Sequence, residues 1–341
     1  MKMKVIVAGG CGFIGSNICV FLKNLSFDVI SVDNCSKTYS KLNLKRLNSL
    51  NIKNYNIDIS NKNKFIKLNF KSDIIIDCCA DPAVESSRKD ILKNINNNLI
   101  TTYNVLEKAK KDNSKLIFLS TSRIYPIKDS YQKFKMFYKK NNKNLFDEKS
   151  NIIGAKTIYG FSKLSSEMLI EEYNYAFNID YLINRCGLIT GPWQFGKVEQ
   201  GLVSLWLWKH LNKDNNLYYK GYNGSGNQIR DILFINDLCE LVYLQIKKFK
   251  KIKNQTFCVG GGIKNSANLN ELTKICEEIT KNKLQIKHDL GTSIYDIPFY
   301  ITSLDKVKKY YNWRPKTDLK IGLYTILEWM KKNYTLIKPH F

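Results

Sequence analysis

Short apolar runs alternate with longer amphipathic segments through the first half of the chain. Residues 3–8 (Met-Lys-Val-Ile-Val-Ala) are apolar enough, and short enough, to predict a buried strand. Residues 16–25 repeat their apolar positions at helical spacing and predict a helix. Further strands are expected at 28–32, 54–59, 73–78, 115–120 and 180–184, with long helices at 91–111 and 159–177. Strands separated by helices imply a doubly wound parallel α/β sheet, because parallel neighbours need a crossover connection. Ligands in such sheets bind beyond the carboxyl ends of the strands.

The alternation breaks at Gly187. A turn follows at Gly191-Pro192-Trp193, then an aromatic-rich helix at 200–211 and a glycine-rich turn at 221–226. Strand and turn at 257–262 and helices at 268–279 and 302–310 complete the pattern. The expected organisation is a first domain over 1–186, completed by about 231–258. A smaller C-terminal substrate-binding lobe spans 187–230 and 259–341. Residues 129–153 are polar and lysine-rich and read as a surface excursion, helical around 131–140. Trp206 and Trp208 read as core, not as ligand stackers.

Composition adds exclusions. The 341 residues, 44% of them hydrophobic, can bury a sizeable core. No apolar run reaches membrane-spanning length, and Met1-Lys2-Met3-Lys4 runs straight into a strand without an apolar signal core. The expectation is a soluble, cytoplasmic chain with no membrane partner. The formal charge of +24 is spread over the whole sequence, so it reads as a compositional bias, not a specific nucleic-acid interface. The dense runs at 133–143 and 247–253 read as solvated faces, though a general positive field attracts phosphorylated substrates. Nine cysteines, an odd number with no CxxC, suggest free thiols in a reducing compartment. His210, His288 and His340 have no metal-ligand spacing, and no metal is expected.

Candidate chemistry lies where the strands end. Gly9, Gly12 and Gly15, with Phe13 and Ile14 between the last two, follow the first strand and open the first helix. Such glycines permit a tight turn and let the backbone approach a pyrophosphate at the helix N-terminus. Asp33, followed by Asn34, ends the second strand about 20 residues further on, where an acid bonds a ribose diol and repels a 2′-phosphate. That favours NAD over NADP. Asp58 and Ile59 end the third strand, near where an adenine would lie, and Cys79-Ala80 follow the fourth. Thr121 ends the fifth strand and should face the same crevice. Tyr159 and Lys163, four residues apart, share a helix face. A lysine there favours the phenolate. Bringing a tyrosine from its ordinary pKa of ~10 towards neutrality takes roughly 4 kcal/mol.

These motifs resemble the extended short-chain dehydrogenase/reductase superfamily and its NAD-dependent epimerase/dehydratase family, over nearly the whole chain. The resemblance implies a Rossmann domain holding NAD, with Thr121, Tyr159 and Lys163 as the catalytic set and Asn98 supporting the site. Arg230-Asp231 with Asp237 resembles the R-D-[FY]-[IV]-x-x-x-D signature of nucleotide-sugar enzymes, which implies that Arg230 holds a substrate diphosphate. Asp305 with Trp313-Arg314-Pro315 resembles the family's C-terminal segment. Ser122-Arg123 stands where the 4,6-dehydratases carry Asp-Glu, so the acid and base for eliminating water are missing. Residues 191–201, with Gln194-Phe195 and Glu199-Gln200-Gly201, and Leu188 in place of an asparagine, resemble the CDP-paratose 2-epimerase (tyvelose epimerase) group. That implies Gln194 and Gln200 as substrate residues, a nucleotide-diphosphate sugar as substrate and a homodimer built on helices 91–111 and 159–177. A 4-epimerase or reductase on a related nucleotide sugar is the alternative within the family. A dehydrogenase-like RNA-binding scaffold is the alternative outside it.

Overall fold

The computed structural model describes residues 2–82, 84–137, 144–196 and 200–341. In chain order the elements are β1 (Lys4–Ala8), α1 (Phe13–Asn24), β2 (Asp28–Val32), α2 (Ser40–Ser49), β3 (Asn54–Tyr55), α3 (Lys62–Ile66), β4 (Ile74–Asp77), α4 (Val84–Lys89) and α5 (Ile91–Ile95). A π-helical turn (Asn96–Ile100) leads to α6 (Thr101–Asp112), β5 (Lys115–Thr121), a 3-10 turn (Ser122–Ile124), α7 (Ile127–Phe137), α8 (Ile158–Phe177), β6 (Tyr181–Cys186) and β7 (Leu188–Thr190). Then come α9 (Leu202–Leu211), β8 (Tyr218–Lys220), β9 (Ile229–Phe234), α10 (Ile235–Lys248), β10 (Gln255–Val259), β11 (Ser266–Ala267) and α11 (Leu269–Thr280). The chain finishes with β12 (Lys287–Asp289), β13 (Phe299–Tyr300), α12 (Asp305–Tyr311), α13 (Leu319–Lys332) and α14 (Tyr334–Ile337).

The chain forms two compact units. The first comprises Met1–Thr121, Thr157–Arg185 and Leu238–Phe257; the second comprises Ser122–Lys156, Cys186–Asp237 and Cys258–Phe341. The first is built on a seven-stranded sheet of order β10-β6-β5-β4-β1-β2-β3. β1 runs parallel to β2 on one side and β4 on the other, so the strand order reverses at β1. A crevice opens at such a reversal. Here the glycine loop leaves β1 and Cys79-Ala80 follows β4. The core joins strand residues such as Ile6, Ile30, Ile75, Leu116 and Phe118 to Val105, Leu106 and Ile170 from the flanking helices. Each such side chain contributes about 1.5–3 kcal/mol on burial.

Three expectations need correction. The strand expected at 54–59 stops at Tyr55, because Ile57 N bonds back to Tyr55 O at 2.9 Å and turns the chain. The helix expected at 91–111 is interrupted by the π turn, which carries Asn98. Residues 129–153 are not simply a surface excursion. Phe137 and Phe146 are buried against Phe299 and Tyr300 of β13, and Ser130 exchanges hydrogen bonds with the Phe299 backbone. That packing places 122–156 in the second unit. The helical character expected at 131–140 is present up to Phe137, and 138–143 lie outside the described residues.

The second unit carries a sheet of order β11-β9-β13, with β7 also paired to β9, and a separate β12-β8 pair. Trp206 is 1% exposed and donates to Thr273 Oγ1 at 2.9 Å, and Trp208 stacks on Tyr334 and Phe341. Both are core, as expected. Among the described residues, no helix is long and apolar enough to cross a membrane.

Candidate active site

The glycine loop is fixed by backbone contacts that exclude side chains. Gly9, with φ +73°, sends its amide to Val32 O at 2.9 Å, and Gly12 N bonds Gly9 O at 3.0 Å. A Cβ on Gly15 would stand 2.2 Å from Gly9 O, and one on Gly10 would stand 2.3 Å from Ser31 Oγ. Helix α1 therefore packs directly on the turn. Its cap, Gly12, brings no side-chain acceptor to the first-turn amides, and the first turn, which includes Phe13 and Ile14, holds no acid. The positive end of the helix dipole is left for an anion.

Asp33 is clamped beside this loop. Its Oδ2 accepts from Cys11 N at 3.0 Å and its Oδ1 from Cys35 N at 2.7 Å. Burial pushes its pKa up, against the pull of these amides. Asn34 is exposed and donates to Asp58 Oδ2 at 3.2 Å, while Ser60 donates to Asp58 Oδ1 through both N and Oγ. Burial is the largest single influence on Asp58 and pushes its pKa up, but these donors together outweigh it and the net shift is downward. Ile59 is buried and its carbonyl accepts from Asn104. The loop, Asp33 and Asp58 thus line one end of the sheet.

The expected catalytic set falls entirely within the first unit. Thr121 is the last residue of β5 and is buried. Tyr159 sits in the first turn of α8, started by Thr157, whose hydroxyl accepts from Gly160 N at 2.9 Å. Lys163 follows one turn later, fully buried, with Nζ 3.4 Å from Cys79 O and 3.9 Å from the Phe118 ring centroid. Asp77, at the end of β4, lies within electrostatic reach of that ammonium. Burial raises the Asp77 pKa, while Lys163 and the Cys79 amide oppose the rise. A buried lysine held on a carbonyl and an aromatic face, with an acid in electrostatic reach, is a positioned cation.

Two networks hold these elements. Asn98 accepts from Asp81 N at 2.9 Å; Asn94 donates to Asp81 O; Ser162, on α8, donates to Asn94 Oδ1 at 3.2 Å. Asn98 Nδ2 is buried with no hydrogen-bond partner among the described residues, an orphaned donor. Below the site, Ser120 donates to Glu167, and Arg185 engages Glu167 Oε2 through Nε at 3.0 Å and Nη2 at 2.8 Å. These buried contacts tie β5, α8 and β6 together.

The second unit holds the remaining candidates. Arg230 Nη1 donates to Ile229 O at 2.8 Å and Nη2 to Ile297 O, and burial lowers its pKa to about 9. Arg123 Nη1 donates to Tyr295 O at 3.0 Å and is the next cause of that depression, so the two guanidiniums are neighbours. Gln194 is engaged inside the unit: Oε1 accepts from Thr190 and Ser204, and Nε2 donates to Ile189 O. Gln200 is half-buried, next to residues 197–199, which lie outside the described residues. Both acids of the signature brace the fold. Asp231 Oδ2 accepts from Gly262 N and Thr302 N, and Asp237 accepts from Lys316 N and Thr317 N. Trp313 Nε1 donates to Asp237 O, so the internal and C-terminal motifs meet.

Some contributors have no signal in sequence. Asn43, on α2, donates to Cys11 O at 3.0 Å and pins the glycine loop, but reads as one more asparagine in a polar stretch. Cys11, Asp33 and Cys35 converge, with candidate ligand atoms all within 4.8 Å of one another, although no spacing rule links them.

The tight glycine turn, the uncapped helix end, the clamped Asp33 and the orphaned Asn98 donor fit a dinucleotide. The helix end suits its pyrophosphate and Asp33 a ribose diol.

Comparison with known proteins agrees. The sequence matches the NAD dependent epimerase/dehydratase family over residues 5–260. CDP-paratose 2-epimerase of Salmonella typhi is 28% identical over 339 residues, covering 96% of this chain and 99% of that one. A Methanocaldococcus jannaschii protein with the provisional name UDP-glucose 4-epimerase is 30% identical over 339 residues, again 96% and 99%. The Bacillus cereus UDP-glucuronic acid 4-epimerase structure, solved with UDP-glucuronic acid and NAD, aligns with a TM-score of 0.80 at 25% identity. It covers 97% of this chain and 100% of that one.

Proposed function

This chain belongs to the NAD dependent epimerase/dehydratase family, and on that premise we propose that it inverts one carbon of a nucleotide-diphosphate sugar, carbon 2 of a CDP-linked dideoxyhexose. The observation that carries the reading is the set Thr121, Tyr159 and Lys163 inside one unit, with the lysine buried and held. The pair Ser122-Arg123 supports epimerisation over dehydration, since neither side chain offers a carboxyl group to a leaving hydroxyl or a ring proton. The CDP-paratose 2-epimerase relative, with the Gln194-Phe195 stretch, supports the substrate.

NAD, when bound, supplies a reversible two-electron acceptor for the sugar carbon. Tyr159 Oη takes the proton of the reacting hydroxyl and later returns it. Thr121 Oγ1 donates to the same sugar oxygen and orients it. Lys163 keeps the tyrosine anionic and would bond a ribose of the cofactor. Asn98 Nδ2 supplies a further donor. In the second unit, Arg230 is assigned to the diphosphate, whose oxygens match the guanidinium fork.

The keto-sugar formed midway is returned to an alcohol without net redox change, so the cofactor stays with the protein. Purified protein is expected to contain NAD. Turnover of a panel of nucleotide sugars, followed by proton NMR, should show inversion at carbon 2 of a CDP-sugar with no solvent deuterium at that carbon. Inversion at carbon 4 of UDP-sugars alone would favour the 4-epimerase reading, which the Methanocaldococcus and Bacillus relatives support. Tyr159→Phe should lower kcat by about 10²–10⁴-fold with NAD still bound; full activity in that variant would remove the tyrosine from the mechanism.

The chain is further proposed to act as a homodimer through α8. Phe161, Met168 and Tyr175 recur every seven residues on that helix and are 50%, 59% and 88% exposed. An apolar stripe of that period suits a second helix.

A further inference from the structure

Cys11 lies in the glycine loop and Cys35 two residues past Asp33. Their sulfurs lie within 4.8 Å of each other. Neither cysteine is in a disulfide; Cys11 is fully buried and Cys35 half-buried. Each sulfur also has a local partner: Cys11 Sγ is 3.7 Å from Ser31 Oγ, and Asn54 Nδ2 is 3.8 Å from Cys35 Sγ. Cys35 has φ +50°, a left-handed conformation that is uncommon for a residue with a Cβ, and its amide closes on Asp33 Oδ1. The backbone amides of the same two cysteines form the clamp on the Asp33 carboxylate.

We propose that Cys11 and Cys35 are a peroxide-sensitive thiol pair whose disulfide loosens the Asp33 clamp and lowers the affinity for NAD. The consequence for NAD rests on the reading of Asp33 as the ribose-binding acid; the disulfide itself does not.

The chemistry balances with a peroxide as oxidant. The Cys35 thiolate attacks one oxygen of hydrogen peroxide, the O–O bond breaks, and water leaves after protonation of the released hydroxide. The sulfur is then a sulfenic acid. Cys11 sulfur attacks it, the S–O bond breaks, the Cys11 proton goes to the departing oxygen, and a second water leaves. Each sulfur loses one electron, and the peroxide takes up both. Cys35 is the attacking residue because it reaches solvent. Its thiol is held below the ordinary value, first by the hydrogen bond with Cys11, while that bond and burial hold the Cys11 thiol up. The bond then requires the sulfurs to close to about 2.05 Å. That draws the glycine loop and the 33–35 turn together, so both amides must move on Asp33.

The test uses the full chain, reduced, stripped of cofactor and titrated with hydrogen peroxide. The expected result is a mass lower by about 2 Da, two fewer alkylatable thiols and a cross-linked peptide pair containing Cys11 and Cys35. NAD affinity by calorimetry should fall roughly tenfold to a hundredfold, the worth of a hydrogen bond to a charged group. Dithiothreitol should restore it. Cys35→Ser and Cys11→Ser should each abolish the mass change and the peroxide-dependent loss of affinity. Separate alkylation of both cysteines after peroxide, overoxidation of Cys35 without a cross-link, or a cross-link to another cysteine would overturn the thiol pair. A Cys11–Cys35 disulfide with unchanged NAD affinity would overturn the coupling alone. Asp33→Asn in reduced protein then shows whether the cofactor reading of Asp33 has failed with it.

Discussion

At the scale of single residues, buried charge decides what the site can do. Lys163 is 0% exposed and Asp77 is 0% exposed, so each is held in a low-dielectric setting where the other matters. On the proposed mechanism, Lys163→Met removes the cation that favours the Tyr159 phenolate. The tyrosine then reverts towards its ordinary pKa of ~10, and the base must still be deprotonated to act. Residual activity should therefore climb with pH up to about 10, where wild-type activity has already levelled off. A pH–kcat profile checks this; an unshifted profile would mean the lysine does not set the tyrosine's charge. A second buried acid has a different consequence. Burial raises Asp231 from 3.8 to about 6, against the pull of Thr302 and the Gly262 amide. An acid whose pKa is higher folded than unfolded stabilises the fold below its unfolded pKa and loses that stabilisation as pH rises through the folded one. Wild-type stability relative to Asp231→Asn should fall by roughly 3 kcal/mol between pH ~4 and ~6. Urea unfolding of both proteins across that window is the measurement, and parallel curves would refute it.

At the scale of elements, α8 buries Tyr159 and Lys163, the proposed catalytic pair, on one face and carries an exposed stripe on another. Its start is fixed by Thr157, and its buried face by the Ser120–Glu167–Arg185 contacts. Rigid support of this kind keeps a tyrosine within the sub-ångström tolerance that proton transfer needs. If the stripe pairs two copies, Met168→Glu places a charge at its centre and should convert a dimer to a monomer without loss of helix content. Light scattering with circular dichroism reads both, and a wild-type monomer would end the proposal. The π turn is the other informative element. It inserts one extra residue into a helical run and carries Asn98, and such turns are frequent at functional sites.

At the scale of the whole molecule, the charge of +24 is the outstanding property. Ion pairs are scattered over the surface, most of them half-exposed, and contribute little individually. Such a chain attracts any polyanion at low salt. Its affinity for a random RNA should fall about 10³-fold or more between 50 and 200 mM salt, with no sequence preference. Tight, sequence-selective binding at high salt would instead favour an RNA-binding role for the scaffold.

Much of this was legible in the sequence because the signals are local. Alternating apolar runs fix strands and helices through side-chain period, and the glycine loop, Asp33, Tyr159 and Lys163 stand at fixed offsets from element ends. Local pattern fails where burial is decided at a distance. Phe137 and Phe146 lie in a lysine-rich stretch, and only β13, some 150 residues on, makes them core. Gln194, implied by resemblance as a substrate residue, has its amide engaged by Thr190, Ser204 and Ile189 once the chain folds. The convergence of Cys11 and Cys35 depends on β1 and β2 lying side by side, a pairing that places two distant loops at one sheet end. The sequence by itself determined the alternation of strands and helices in the first half of the chain and the residue types that stand at each strand end, since both are encoded over a few residues. Tertiary structure alone decided which polar groups are spent on the fold and which remain for a ligand, because a hydrogen bond between distant residues leaves no periodic trace in the chain.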